Sequence, residues 1–177
     1  LMQYHALIGS IVAAMDARDA YTAKHSDRVA DMVLVLATAL DLSEDETTLL
    51  HMAAHLHDIG KIAVPDSVLR KAGPLTNPEW EEMRRHPVTG YEILRKVDDF
   101  KEIAVLVRHH HERWDGRGYP DGLRGADIPL GSRILAVADS IDAMMSSRSY
   151  RPAMTSAACR REIERNSGIM YDPCVAA

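Results

Sequence analysis

The sequence LHDIGK, residues 56–61, closes a segment of helical periodicity and is the most informative part of the chain. It places an imidazole and a carboxylate on adjacent residues near a helix end, where both can meet one metal cluster. His57 follows Ala53 by about one helical turn and Leu50 by about two, so it projects from the apolar side of its helix. A histidine on such a face is more often a hydrogen-bonded core residue than a ligand. The significance of the pair therefore depends on the rest of the chain.

Further histidines and an aspartate interrupt apolar segments elsewhere in the sequence. Taken together, they would require four helices each to bury a polar group, at a cost of about 1–3 kcal/mol apiece if unpaired. A shared metal cluster removes that difficulty, and the number of ligands suits two first-row ions. One ion would be held by His25, His57, Asp58 and Asp139 and a second by His86, His110 and His111, with the Asp58 carboxylate bridging both.

A rival arrangement uses other histidines of the same helix. His51 and His55, four residues apart, form a plausible helical metal pair with Asp58. We expect His5 and His109 to be structural or exposed to solvent. No cysteine joins the candidate ligands, which argues against a structural zinc site. No serine or cysteine has the sequence surroundings of an activated nucleophile.

The composition indicates one helical domain. The 177 residues are 46% hydrophobic but only 5% aromatic, with one phenylalanine and nine methionines, which favours helices packed through aliphatic and methionine side chains. The net charge of -5 argues against a surface that coats nucleic acid. Cys159 and Cys174 lack CxxC spacing and are predicted to be free thiols in a reducing cytoplasm. No apolar stretch is long enough to span a bilayer.

Periodicity and capping signals locate the helices. We predict helices over residues 4–18, 25–40, 44–58, a short one from 76, one starting at 86–87, and two more over 100–111 and 130–146. Residues 112–131 form the longest break and are rich in glycine, aspartate, arginine and proline. A break of this length inside a compact domain is usually functional or disordered, and the adjacent candidate ligands favour function.

The chain resembles the HD-GYP domain, a bacterial branch of the HD phosphohydrolase superfamily that hydrolyses cyclic di-GMP. The resemblance covers nearly the whole sequence and rests on several motifs at once. They are DARD at 16–19, YT at 21–22, HSDRV at 25–29, HDIGK at 57–61, HP at 86–87, HHERWDGRGYP at 110–120, ILAVAD at 134–139, DAM at 142–144 and RSYR at 148–151.

The resemblance implies an all-α HD-domain helical bundle with a long GYP loop between the His110–His111 helix and the Asp139 helix. Residues 1–177 would be a single domain, the C-terminal output part of a longer regulatory protein behind a sensor or receiver domain. The implied metal ligands are the seven residues reached above. Lys61 and Asp142 would join Asp58 as catalytic groups, while Tyr119, Arg148 and Arg151 would contact the substrate. Tyr21 stands where some members carry a glutamate for a third metal, so two metals are expected.

The implied activity is hydrolysis of cyclic di-GMP to linear 5'-pGpG, with a further step to GMP left open. A hydroxide bridging two divalent first-row ions would attack phosphorus, and Lys61 or a water that it holds would supply a proton to the leaving oxygen. Iron or manganese is favoured, with nickel and zinc as alternatives. The alternatives for function are hydrolysis of another nucleotide or of cyclic GMP-AMP, and a catalytically quiet binding or docking module.

The expected partners are a cyclic dinucleotide and, through the GYP loop, GGDEF-domain proteins. No nucleic acid and no membrane are expected. The apolar face of the first helix is predicted to be exposed and to continue a coiled coil from a sensor, which leaves a homodimer open.

Overall fold

The computed structural model describes residues 5–18, 24–147 and 152–177, with the side chains of residues 5–7 and 16 excepted. All regular elements in these ranges are helical, so the predicted all-α class is confirmed. The α-helices are α1 (His5–Arg18), α2 (His25–Ala39), α3 (Glu44–Leu56), α4 (Asp66–Leu69), α5 (Asn77–Met83), α6 (His86–Leu94), α7 (Lys101–His109), α8 (Leu130–Met145), α9 (Ser156–Arg165) and α10 (Pro173–Ala176).

Side-chain caps determine where two helices begin. At α3, the Ser43 hydroxyl accepts from the Glu46 amide, and the Glu46 carboxylate accepts from the Ser43 amide at 2.9 Å. Thr76 and Glu79 form the same capping box at α5. Both caps are visible in the sequence, and each satisfies backbone groups that the first helical turn leaves unpaired.

The core brings several helices together around aliphatic side chains. The α2 helix packs against α3 and α8, α3 packs against α7, and α6 packs against α7 and the 3-10 turn Ile59–Ala63. Leu50, Leu56, Ile103, Ile134 and Leu135 are among the largest side chains that are fully buried. This aliphatic core agrees with the low aromatic content of the chain.

The first helix contributes to the core, contrary to the prediction that its apolar face is exposed. Ile8 and Val12 are buried, and Ile11 and Met15 are partly buried against the same core. The helix contacts α3 and the turn Ile59–Ala63. The described part of the apolar face of α1 is therefore buried within the domain by hydrophobic packing, although we expected it to be exposed to solvent.

The carboxyl-terminal helices were not predicted from the sequence. The α9 helix packs on α8 and buries Cys159 and Ile163. Its remaining surface is strongly charged, which leaves a narrow apolar stripe and a weak helical signal. Cys159 and Cys174 are free, as expected. Among the described helices, none has the length and apolar character needed to cross a membrane.

Candidate metal centre

Four histidines at helix ends converge on one site. His25 and His86 are the first residues of α2 and α6, and His57 and His110 are the residues that follow α3 and α7. Asp139 lies inside α8 and points to the same place, with its Oδ1 3.3 Å from His25 Nε2. The packing of five helices thus assembles residues that are far apart in sequence.

The ligand-capable side chains fall into two groups of three. The ligand atoms lie within 4.8 Å of one another in each group, and the groups are His25, His57 and Asp58, and His86, His110 and His111. With Asp139 beside His25, these are the seven predicted ligands, in the predicted division.

Asp58 connects the two groups through different carboxylate oxygens. Its Oδ1 lies 3.5 Å from His86 Nε2 in one group. Its Oδ2 lies 3.6 Å from His57 Nε2 and 4.0 Å from His25 Nε2 in the other. The side chain is buried. A carboxylate in this position can serve as the shared ligand of a two-ion site.

Three histidines are oriented by the same backbone contact. Each donates its Nδ1 hydrogen to the carbonyl three residues earlier, at 2.7 Å for His57, 2.8 Å for His86 and 2.6 Å for His110. Because a carbonyl only accepts, the proton is on Nδ1 and the Nε2 lone pair faces the site. His57 Nε2 is buried and has no hydrogen-bond partner among the described residues. A metal ion would satisfy this atom, so the residues fit one.

His109 shows how a structural histidine differs. Its Nδ1 lies 2.9 Å from the Val105 carbonyl, and its Nε2 lies 2.9 Å from Asp121. Both ring nitrogens are engaged, so neither is available to a metal. This agrees with the structural role expected for His109.

His25 is held by a carboxylate instead of a carbonyl. Its Nδ1 lies 2.6 Å from Asp142 Oδ2, and the Arg28 guanidinium donates to both oxygens of that carboxylate at 2.5 and 3.0 Å. Burial alone would raise the pKa of Asp142, but hydrogen bonds from His25 and Arg28 lower it to about 2. Asp142, predicted as a catalytic group, therefore lies behind His25 and orients it.

Protonation states in the His86 group favour metal binding. Burial lowers the pKa of His86 to about 3 and that of His111 to about 4. It lowers the pKa of His110 well below its usual value. These imidazoles are neutral near pH 7, and only neutral imidazole ligates a metal.

Charge in the other group is set by the carboxylates. Burial would raise the pKa of Asp58, but Lys61 and the neighbouring histidines outweigh it and hold the pKa well below its usual value. Burial would lower the pKa of His25, yet hydrogen bonds to Asp139 and Asp142 raise it to about 9. Without a metal, His25 is therefore protonated near pH 7, and an ion held by these carboxylates would displace that proton.

Lys61 lies beside the shared carboxylate. It belongs to the turn Ile59–Ala63, and its Nζ donates to Asp58 Oδ2 at 2.6 Å. The turn packs tightly on α6, since a Cβ atom at Gly60 would lie 1.9 Å from the His86 carbonyl oxygen. Glycine at this position is therefore required for Asp58 and His86 to approach each other.

The loop between α7 and α8 brings an aromatic ring to the group of His86, His110 and His111. The Tyr119 ring centre lies 4.9 Å from that of His111, and the Arg84 guanidinium lies 5.5 Å from the Tyr119 ring. Glu112 shapes the loop by accepting from the backbone amides of Asp121 and Gly122 at 2.7 and 3.0 Å. Burial raises the pKa of Tyr119 above its usual value, so its hydroxyl stays protonated.

The remaining predictions from the sequence concern the rival histidine pair and three residues assigned to a third metal or to the substrate. His51 and His55 pack edge to face at 4.8 Å, and within the described residues neither belongs to a group of three ligand-capable side chains. The rival metal set is therefore not assembled. Tyr21, Arg148 and Arg151 lie outside the described residues, and their roles stay predictions.

Sequence analysis did not predict a role for three residues at the site. Arg28 lies one turn after His25 on α2, a spacing that could have indicated a shared partner. Arg84 and Glu112 stand near predicted ligands in the sequence, but their contacts with Tyr119 and the loop backbone depend on the tertiary fold.

These features define the class of protein as an all-helical domain in which two groups of histidine and aspartate around one carboxylate could hold metal. A family profile described as an HD domain matches residues 12–175. The chain therefore belongs to the HD domain family, and the family resemblance seen in the sequence is confirmed.

Curated relatives carry related activities in their names. The chain is 44% identical over 96% of its length to a cyclic di-GMP phosphodiesterase response regulator of Xanthomonas campestris and covers 46% of that protein. It is 43% identical over 88% of its length to a cyclic di-GMP phosphodiesterase of Thermotoga maritima and covers 43% of it. It is 41% identical over 94% of its length to a 3'3'-cGAMP-specific phosphodiesterase of Vibrio cholerae and covers 32% of it. The chain thus spans less than half of each relative.

Solved structures share the fold. A cyclic GMP-AMP-specific phosphodiesterase of Vibrio cholerae matches with a TM-score of 0.74 and 21% identity, over 96% of this chain and 46% of that one. An HD-GYP-type protein of Bdellovibrio bacteriovorus matches with a TM-score of 0.71 and 20% identity, over 86% of this chain and 49% of that one. At these identities the likeness concerns the fold alone.

Proposed function

We propose that this chain is the catalytic domain of a metal-dependent phosphodiesterase that hydrolyses cyclic di-GMP to linear 5'-pGpG. The observation that carries the proposal is the position of Asp58, which directs one carboxylate oxygen toward each group of histidines. The names of the relatives from Xanthomonas campestris and Thermotoga maritima support this substrate.

We assign two divalent first-row ions to the site. His25, His57, Asp58 and Asp139 would hold one, and His86, His110, His111 and Asp58 the other. Imidazole and carboxylate without thiolate suit iron, manganese, nickel and zinc, and we favour iron or manganese. When bound, such ions lower the pKa of a coordinated water and offset charge that develops on the phosphate.

Lys61 and Tyr119 can donate a proton or a hydrogen bond to the substrate and can orient it in the site. The Lys61 ammonium lies 2.6 Å from Asp58 Oδ2, beside the shared ligand, so it can donate to the leaving 3'-oxygen. The protonated Tyr119 hydroxyl can donate to a phosphate oxygen, or its ring can stack on a base. Arg148 and Arg151 are proposed to bind the substrate phosphates, because guanidinium matches phosphate geometry.

Cyclic GMP-AMP is the second candidate substrate, because the Vibrio cholerae relative is named for it. Purified chain loaded with Mn²⁺ or Fe²⁺ would be incubated separately with cyclic di-GMP, 3'3'-cGAMP and cyclic di-AMP, and the products separated by chromatography. We expect cyclic di-GMP to be consumed fastest, with pGpG as the first product. Faster loss of 3'3'-cGAMP would establish the second candidate instead. No hydrolysis by metal-loaded chain would favour a binding or docking module.

The cellular location, the remaining partners and the oligomeric state stay predictions. We retain a cytoplasmic location, a sensor or receiver domain preceding this chain, contact with GGDEF-domain proteins through the GYP loop, and a homodimer. Each follows from the family resemblance or the composition.

Replacing Asp142 with asparagine should weaken metal binding through His25. The amide cannot accept from both Arg28 and His25 as the carboxylate does, so His25 loses its fixed orientation. We expect Asp142→Asn to lower metal affinity in a calorimetric Mn²⁺ titration by about 10–100-fold.

The control for this variant is Asp121→Asn. Asp121 also pairs with an arginine and a histidine, Arg108 and His109, but that histidine lies outside the metal groups. Its substitution should change Mn²⁺ affinity by less than about threefold, since an exposed ion pair contributes little. Equal losses in both variants would contradict the positioning role of Asp142.

A further inference from the structure

Arg18 reaches from the end of α1 to the backbone that follows the His57-Asp58 pair. Its Nη1 donates to the carbonyls of Lys61 at 3.1 Å and Ile62 at 2.5 Å, and its Nη2 donates to that of Val64 at 2.6 Å. Its Nε and Nη2 also donate to Asp66 Oδ1 at 3.0 and 2.8 Å. One guanidinium therefore gathers three carbonyls and a carboxylate, and we call these contacts the Arg18 clamp.

Two residues of the clamped segment have little packing of their own, whereas Val64 at its end is buried. Ile62 is 59% exposed, and Ala63 is exposed. Besides the bonds inside the 3-10 turn itself, Lys61 N donates to Asp58 O at 2.9 Å and Val64 N donates to Lys61 O at 3.0 Å. A five-residue 3-10 turn has poor internal hydrogen-bond geometry, so the outside donor matters for its conformation.

The far end of the clamp is anchored as well. Arg70 donates to the Arg18 carbonyl through Nε at 3.0 Å and Nη2 at 2.6 Å. The backbone of α1 is thus fixed at the residue whose side chain holds the turn. A lysine could not replace Arg18, because a single ammonium cannot present the planar fork that meets several acceptors at once.

We propose that Arg18 is a positioning residue that holds the backbone of Lys61 so that its ammonium stays on Asp58. This inference rests on the proposed function, in which Lys61 donates a proton next to the shared ligand. Arg18 makes none of its observed contacts with the metal-ligating side chains, and it acts through the turn.

The kinetic test is a double-mutant cycle of Arg18→Ala and Lys61→Ala on cyclic di-GMP with Mn²⁺. We expect Arg18→Ala to lower kcat by about 10-fold with KM within about twofold, the pattern of an interaction made only in the transition state. In the Lys61→Ala background the same substitution should have almost no further effect, because the two residues act in one chain of contacts. An equal loss in both backgrounds would overturn the proposal.

A second readout does not depend on catalysis. Amide hydrogen exchange at residues 61–64 should speed up by at least about 10-fold in Arg18→Ala, while exchange in the core of α7 stays as in the wild type. Arg18→Lys should behave nearly as the alanine variant, which provides a milder substitution if alanine impairs folding. If Arg18→Lys had the kcat of the wild type and the same amide hydrogen exchange at residues 61–64, the guanidinium fork would not be required and this part of the proposal would be overturned.

Arg70→Ala is the matched control, because it removes the hydrogen bonds to the Arg18 carbonyl but none of those that the Arg18 guanidinium donates to the turn. It should keep kcat within about twofold, and a loss as large as that of Arg18→Ala would assign the effect to helix docking. Failure of the wild type to hydrolyse any cyclic dinucleotide would instead refute the proposed function. The exchange comparison would then still decide whether Arg18 orders the turn.

Discussion

Replacing Asp58 with asparagine should lower kcat/KM for cyclic di-GMP by at least about 1,000-fold, because in the proposed two-ion site each ion would lose its shared anionic ligand. The amide keeps the shape of the side chain but not its charge, and an amide nitrogen cannot ligate as a carboxylate oxygen does. Bound metal should fall together with activity. The measurement is initial rate and metal content on the same preparation.

The fold of the Asp58→Asn variant should survive, so that lost activity reports on the site. A suitable control is Asp27→Asn, which alters an exposed carboxylate on α2 that lies 3.5 Å from His55 Nδ1. The control should retain its metal and its activity. A metal-loaded Asp58→Asn variant with wild-type kcat/KM would show that Asp58 is not a shared ligand in the reaction.

Replacing Gly60 with alanine should destabilise the domain by about 3 kcal/mol, at the upper end of the range for overpacking. The added Cβ would lie 1.9 Å from the His86 carbonyl oxygen and 2.6 Å from the Gly90 amide nitrogen. Both neighbours are backbone atoms, so the turn must move away from α6. This movement separates Asp58 from His86, and activity should fall even at temperatures where the variant is folded.

Thermal denaturation of the Gly60→Ala variant should show a midpoint about 10 °C below that of the wild type, as expected for such a loss in a domain of this size. The matched control is Gly9→Ala in α1, where a Cβ would meet nothing within 4 Å. Because alanine is the better helix former by about 1 kcal/mol, the control should be slightly more stable than the wild type. Equal midpoints for the two variants would contradict the close packing at Gly60.

The features that sequence could predict are those encoded locally. The capping residues Ser43 and Thr76 specify helix starts within four residues of sequence. The helical period around Ile103 and Val107 identifies a buried face, and both are fully buried. Polar residues on such faces need partners, so clustering of the histidines follows from the cost of burying them alone.

The features that sequence could not predict depend on contacts between distant segments. Arg18 and Asp66 are 48 positions apart, and His25 and Asp142 are 117 apart. Asp142 lies three residues after Asp139 on α8, yet one carboxylate faces His25 Nδ1 and the other His25 Nε2, which the sequence does not reveal. Likewise, the apolar face of α1 is compatible with an exposed or a buried position until its neighbours are known.

The two-ion site is tested most directly by the rate of cyclic di-GMP hydrolysis as a function of Mn²⁺ bound per chain, starting from metal-stripped protein. We expect almost no activity without metal and a rate that reaches its plateau at two ions per chain. A plateau at one ion per chain, or undiminished hydrolysis in the presence of a chelator, would contradict a two-ion site built around Asp58.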